Sequence, residues 1–244
     1  MGDFKVKRCL VLGGSGSIGS AICKILAREG VQFAFTYYKN KNFASMLASE
    51  LSAAGFHYCD LSDPDSIQSA VSELIKKLGV FDTLICATGM SEKKFGLKLE
   101  DIGEEEIDSY FDVYARGVLL TCKAAVSVIK STKSGNIVII GSMDGIKTVP
   151  SSIHFATSKS ALKGMIEAMS KELGDYDIKV NLIAPGIVEG GASVHLSDGL
   201  KSEYLKHCSM KRFAKPSEIA EVVAWFALEN TYVTGQSIVL NGGL

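Results

Sequence analysis

The chain predicts an α/β fold: a single doubly wound domain over residues 1–244, with a parallel sheet of about seven strands and helices on both faces. Three observations predict it. Short, nearly continuous apolar runs alternate with amphipathic helical patterns from end to end, as expected of strands buried on both sides. A glycine-rich turn, Gly13-Gly14-Ser15-Gly16-Ser17-Ile18-Gly19, joins the first apolar run to the first helical pattern. No repeat, low-complexity segment or linker interrupts the alternation.

The run from Cys9 to Leu12 reads as strand one, and Ile18, Ile22, Ile25 and Leu26 as the apolar face of the next helix. Gly30 caps that helix, and residues 31–36 form strand two. A helix over 42–54, a short strand over 56–60 and a helix from Asp63-Pro64 to Lys77 follow, with proline at an early helical position. Residues 81–87 are strand four. After a polar loop, residues 104–130 read as one long helix with a mostly apolar second half. The acidic run Glu100, Asp101, Glu104, Glu105 and Glu106 suits the start of that helix better than a metal. Residues 137–140 are strand five, 152–174 a helix, and 179–184 strand six, closed by Pro185-Gly186. The polar stretch 190–211 is either a substrate lid or an ordinary surface excursion. A helix over 216–229 and a strand over 237–240 complete the pattern. In such sheets ligands bind beyond the carboxyl ends of the strands.

With 244 residues, 47% of them hydrophobic, the chain can bury a sizeable core. A net charge of −1 argues against nucleic acid as the main partner. No apolar run reaches membrane-spanning length, and the start Met1-Gly-Asp-Phe-Lys lacks a signal pattern. The six cysteines show neither C-x-x-C nor metal-ligand spacing and read as buried thiols of a reducing compartment. The expectation is a soluble cytoplasmic protein that binds no membrane and no metal.

Gly14, Gly16 and Gly19 fit G-x-G-x-x-G between a strand and a helix. Residues without Cβ let the backbone approach a pyrophosphate, and the helix start offers free N–H groups. The alternative is a turn that holds nothing. A site for NAD carries an acid at the end of strand two for the ribose 2′-hydroxyl. Here no acid stands between Glu29 and Glu50, and the region reads Thr36-Tyr37-Tyr38-Lys39-Asn40-Lys41. A lysine attracts a 2′-phosphate where an acid repels it, which favours NADP(H). The competing reading has Lys39 and Lys41 merely solvate a helix start.

These features resemble the short-chain dehydrogenase/reductase family over nearly the whole chain. Gly13-x-x-x-Ser17-Ile18-Gly19 is similar to its Gly-x-x-x-Gly-x-Gly turn, with Ser17 for the middle glycine. Asp60-Leu61 matches an acidic–apolar pair that contacts adenine, and Cys86-Ala87-Thr88-Gly89 falls on Asn-Asn-Ala-Gly, keeping only the glycine. Ser142 stands at the catalytic serine position, and Asn181-x-x-x-Pro185-Gly186 is retained. Arg212-Phe-Ala-Lys-Pro216 and Val233-Thr-Gly-Gln236…Asn241-Gly-Gly243 are similar to the closing segments of the 3-oxoacyl-(acyl carrier protein) reductase branch. The resemblance implies a Rossmann-like fold and a reductase of small-molecule or acyl-carrier-bound carbonyls in fatty acid biosynthesis. It implies cofactor contacts from Gly13, Ser15, Gly16, Ser17, Ile18, Gly19, Lys39, Asp60, Leu61, Ala87, Gly89, Lys159, Pro185, Gly186 and Val188. It further implies a homotetramer, or a hetero-oligomer with an active homologue.

The reacting end departs from the family. Its Tyr-x-x-x-Lys pair becomes Phe155-Ala156-Thr157-Ser158-Lys159, and phenylalanine has no proton to give. The asparagine of the long helix falls on Tyr114, and a threonine that helps bind the cofactor falls on Gly190. Three readings stand. Tyr114 supplies the lost phenol beside Ser142 and Lys159. Ser142 or solvent supplies the proton, with low activity. Or the protein is a catalytically deficient homologue that binds nucleotide or serves as a partner subunit. Tyr114 as plain core filling also stands. His154 points about 100° away from Phe155 on a helix and faces elsewhere. No G-x-S-x-G elbow exists, so Ser142 with His154 makes no hydrolase triad.

Overall fold

The computed structural model describes residues 7–89, 97–147 and 151–244. Met1-Gly-Asp-Phe-Lys and part of the polar loop after strand four lie outside these ranges. The sheet contains β1 (Arg8–Leu12), β2 (Gln32–Tyr37), β3 (Gly55–Tyr58), β4 (Thr83–Cys86), β5 (Gly135–Ile140), β6 (Ile178–Pro185) and β7 (Ser237–Leu240). All pairings are parallel, in the order β3-β2-β1-β4-β5-β6-β7. The winding reverses between β1 and β4, which opens a crevice at their carboxyl ends. This is the Rossmann-like arrangement that the alternating pattern predicts.

The helices are α1 (Ser17–Arg28), α2 (Lys41–Glu50), α3 (Pro64–Leu78), α4 (Glu104–Phe111), α5 (Gly117–Ser131), α6 (Ile153–Leu173), α7 (Asp198–His207) and α8 (Pro216–Leu228). Alternation along β1 divides the core. Leu10 and Leu12 pack with Val71 of α3, Cys122 of α5 and Leu162 of α6. Cys9 and Val11 face the other side, against Ile22 of α1 and Val223 of α8. Helix α1 stops as Gly30 predicts: Gly30 N–H donates to the Ala27 carbonyl (3.1 Å) and Val31 N–H to Leu26 (2.9 Å), the paired Schellman bonds. The Asp63 side chain accepts from Asp65 N–H at the start of α3, one residue before Pro64.

Two expectations need correction. The long helix is interrupted: residues Asp112–Arg116 form a wide π-turn between α4 and α5. One inserted residue barely disturbs an apolar periodicity read over such a length, yet it rotates everything after it by about 100°. Helix α2 ends at Glu50, because Ser52 turns left-handed (φ 53°) and Ala53 N–H bonds back to Ala48. The stretch 190–211 contains α7, anchored by buried Tyr204, whose hydroxyl donates to the Asn241 carbonyl at 3.0 Å. All six cysteines are buried and free of disulfides. Among the described residues no helix is long and apolar enough to cross a membrane, and no group of metal-binding side chains converges.

Leu84 lies in β4 with no exposed surface. Leu84→Ala leaves a cavity between α3 and α5 and is expected to cost about 2–5 kcal/mol of stability in urea denaturation.

Candidate active site

The carboxyl end of β1 delivers the glycine turn to the crevice. Gly13 has φ +76°, and a Cβ there would lie 2.6 Å from the Ala87 carbonyl oxygen, so glycine is needed for both conformation and space. Its N–H donates to Thr36 Oγ1 at 2.8 Å, which fixes the turn to β2. Ala87 N–H donates to Leu12, joining the tip of β4 to that of β1. Gly16 caps α1 without a side-chain bond, and the first turn of the helix holds no acid. Ser15 is half-buried, Gly16 and Ser17 are exposed, and Ile18 and Gly19 turn inward. The first-turn N–H groups and the positive helix end therefore face the crevice as an anion seat.

A cavity of about 270 Å³ continues from this seat along the tips of β2, β3 and β4. Tyr38, Lys39, Asp60, Leu61, Thr88 and Gly89 are among its lining. Asp60 is held in place by Ser62, whose N–H and hydroxyl both donate to its Oδ1 (2.9 and 2.7 Å). Tyr38 stacks on Tyr58 with ring centroids 5.9 Å apart, and the exposed Lys39 leans over Tyr38. Thr88 Oγ1 is buried with no hydrogen-bond partner. An uncapped helix start, a lysine at the rim and an unsatisfied hydroxyl fit the adenosine diphosphate half of a nicotinamide dinucleotide. Sequence reasoning missed Thr88; the chain gave no signal for it beyond a polar residue at a strand tip.

A second cluster forms at the tip of β5. Lys159 Nζ donates to the carbonyl of Ile140, the last residue of β5, at 3.4 Å, and Ser142 follows two residues later. Lys159 Nζ sits 4.0 Å from the centre of the Tyr114 ring and 6.0 Å from that of Phe155. The two rings meet edge to face at 5.6 Å. Tyr114, Phe155 and Lys159 thus converge, although Tyr114 lies far from the other two in sequence. His154 turns away to pack against Tyr110, with centroids 4.4 Å apart.

Lys159 is only 4% exposed, and burial pushes its pKa down to about 7, while the charge of Asp144 acts in the opposite direction. Ser142 Oγ accepts from Asp144 N–H at 3.3 Å. The Asp144 carboxyl accepts from Ser151 Oγ at 2.9 Å, and burial raises its pKa. Asp144 is a second residue that sequence reasoning missed. Its signal was the Ser142-x-Asp144 spacing just after a strand.

The far wall follows β6. Pro185 pairs with Leu240, Gly186 N–H donates to the Leu240 carbonyl (2.8 Å), and Val188 bridges to Ala214. Gly190 then turns with φ +74°, and a Cβ on it would lie 3.7 Å from Ser17 Oγ. The chain after β6 therefore folds over the start of α1. The backbone at 190 strains a threonine, which accounts for glycine at this position.

A family profile described as enoyl-(acyl carrier protein) reductase matches residues 13–244. The chain belongs to the short-chain dehydrogenase/reductase family. The 3-oxoacyl-(acyl carrier protein) reductase of Chlamydia muridarum is 30% identical over 98% of this chain and 97% of its own length. Among solved members, a 3-oxoacyl-(acyl carrier protein) reductase from Brucella melitensis with bound NAD superposes with a TM-score of 0.87. It is 28% identical, with 99% of this chain and 92% of that one covered. A blue fluorescent protein from a metagenomic library, in complex with NADPH, gives 0.89 at 29% identity, with 99% of both chains covered.

The depressed pKa of Lys159 carries a stability signature. Between about pH 7 and the ordinary lysine value of 10.5 the unfolded chain holds a proton at this site that the folded chain lacks, so stability rises with pH. Lys159→Met removes the penalty. Its stability relative to the parent is expected to be greatest below about pH 7 and to fall towards the parent's as pH approaches 10.5, in urea denaturation across a pH series.

Proposed function

We propose that the protein is an NADP(H)-dependent carbonyl reductase acting on small-molecule or acyl-carrier-bound 3-oxo substrates. The convergence of Tyr114, Lys159 and the Ser142 strand tip beside the crevice carries this reading. Bound NADPH supplies the hydride. The Tyr114 hydroxyl is the acid that would give its proton to the carbonyl oxygen as that oxygen gains charge. Ser142 donates a hydrogen bond to the same oxygen. Lys159 lowers the cost of the phenolate left behind and offers N–H donors to the nicotinamide ribose. Phe155 closes the cluster against water and holds no proton.

For the adenosine half, the Gly13–Gly19 turn receives the diphosphate, Asp60 and Leu61 border the adenine, and Ala87, Gly89, Pro185, Gly186 and Val188 complete the walls. Lys39, in a stretch that carries no acid between Glu29 and Glu50, selects the 2′-phosphate. Two relatives are similar in sequence but hold different nucleotides, NAD in one and NADPH in the other, so the preference of this chain rests on its own residues. Residues 1–244 act as one domain, with 190–211 as the substrate lid turning at Gly190 and Gly191. Exposed Leu119 on α5 and Trp225 on α8 suit a homotetramer, and buried free thiols suit the cytoplasm.

A second reading rests on Phe155: a catalytically deficient homologue that binds nucleotide within a hetero-oligomer. Titration with NADPH and turnover of a 3-oxoacyl thioester separate the two. Under the first reading, Tyr114→Phe lowers kcat by about 10²–10⁴-fold and leaves the NADPH Kd unchanged. Under the second, the parent binds NADPH without turnover, and Phe155→Tyr restores it.

Lys39→Ala is expected to weaken NADPH about tenfold and leave NADH unchanged, the loss of one charge-assisted phosphate contact. Equal weakening of both nucleotides in calorimetric titration removes Lys39 as the selector.

A further inference from the structure

Lys159 and Tyr114 are each 4% exposed. A buried ammonium needs partners to stay charged. The Ile140 carbonyl is one, at the long end of hydrogen-bonding distance (3.4 Å). Asp144, in the turn after β5, is the charged group that acts on it among the described residues. Two aromatic rings also lie against it. The Tyr114 face lies 4.0 Å from the ammonium, well inside cation–π range, and Phe155 lies at the 6.0 Å limit. Tyr110 of α4 backs Tyr114 at 5.8 Å, and His154 of α6 packs on Tyr110 at 4.4 Å.

The geometry points to a positioning role for the Tyr114 ring: with Phe155 it forms an aromatic seat that holds the Lys159 ammonium charged and in place, in a chain whose position 155 bears no oxygen. The inference rests on the reductase reading but assigns the ring a task separate from that of its hydroxyl. The π-turn makes the seat. Tyr114 stands at its centre, and its neighbour Val113 lines the adenosine cavity. Adjacent side chains, about 100° apart around the turn, thus serve opposite ends of one crevice. An ammonium has three N–H donors, and one points to Ile140; the ring occupies a face without consuming a donor. The rest remain for ligand hydroxyls. Burial lowers the affinity of Lys159 for its proton, and both the ring and Asp144 oppose this.

The test measures Lys159 itself, in the free protein. The rate at which acetic anhydride modifies Lys159, followed by peptide mass spectrometry across pH, gives its titration midpoint. Tyr114→Phe keeps the ring and should titrate with the parent. Tyr114→Leu removes it and should titrate about one pH unit lower, a tenfold loss in proton affinity. NADPH affinity near neutral pH should fall several-fold in the leucine variant only. If Tyr114→Leu does not fold, Tyr114→Met makes the same comparison with an unbranched side chain that adapts to the space the ring leaves. A ring-less variant that titrates with the parent overturns the inference, as does Tyr114→Phe shifting as far as Tyr114→Leu. Unchanged turnover in Tyr114→Phe with an unchanged midpoint removes the acid role of the hydroxyl and leaves the seat standing.

Discussion

The contact on which the rest depends is that between the Gly13 turn and the tip of β4. At the point where the sheet reverses direction, the Gly13 backbone approaches the Ala87 carbonyl so closely that no side chain fits between them. That approach leaves the first turn of α1 exposed at the crevice instead of buried against β4. The helix end can then face a diphosphate, and the tips of β2 and β3 line a cavity beside it. A Cβ at this one position would separate strand tips that must act together.

The reacting end solves a different problem, that of keeping a cation inside a protein. Burial works against Lys159, and the compensations come from four elements: the Ile140 carbonyl of β5, Asp144 in the turn that follows, and the aromatic faces presented by α6 and the π-turn. The departures at 114 and 155 are therefore coupled in space. The change at 114 adds a ring against the ammonium, the change at 155 keeps a ring there without its hydroxyl, and the two rings pack edge to face on each other.

Much of this was legible in the chain because local rules and global fold agree. The parallel sheet with helices on both faces followed from β–α alternation, the end of α1 from Gly30, the start of α3 from Asp63-Pro64, and the tight turn before α1 from glycines placed between strand and helix. Convergence of Tyr114 with Phe155 and Lys159 was legible only through resemblance, since no periodicity brings residues so far apart together. What stayed hidden has physical causes. The π-turn changes register by one residue, below what an apolar pattern resolves. Thr88 and Asp144 matter through what surrounds them, an absent partner in one case and a nearby ammonium in the other. Gly190 read only as the place of a cofactor-binding threonine, whereas here its backbone takes a positive φ that a threonine would be strained to adopt.

The burial of all six cysteines has a consequence outside the reaction. Cys9, Cys23, Cys59 and Cys86 are held well above the ordinary thiol range, Cys9, Cys23 and Cys59 chiefly by burial and Cys86 first by its hydrogen bond with Cys122. In the native molecule these sulfurs are shut away from electrophiles and oxidants alike. An alkylating reagent therefore reaches them only when the layers part, and the pace of labelling becomes a clock for how often they do.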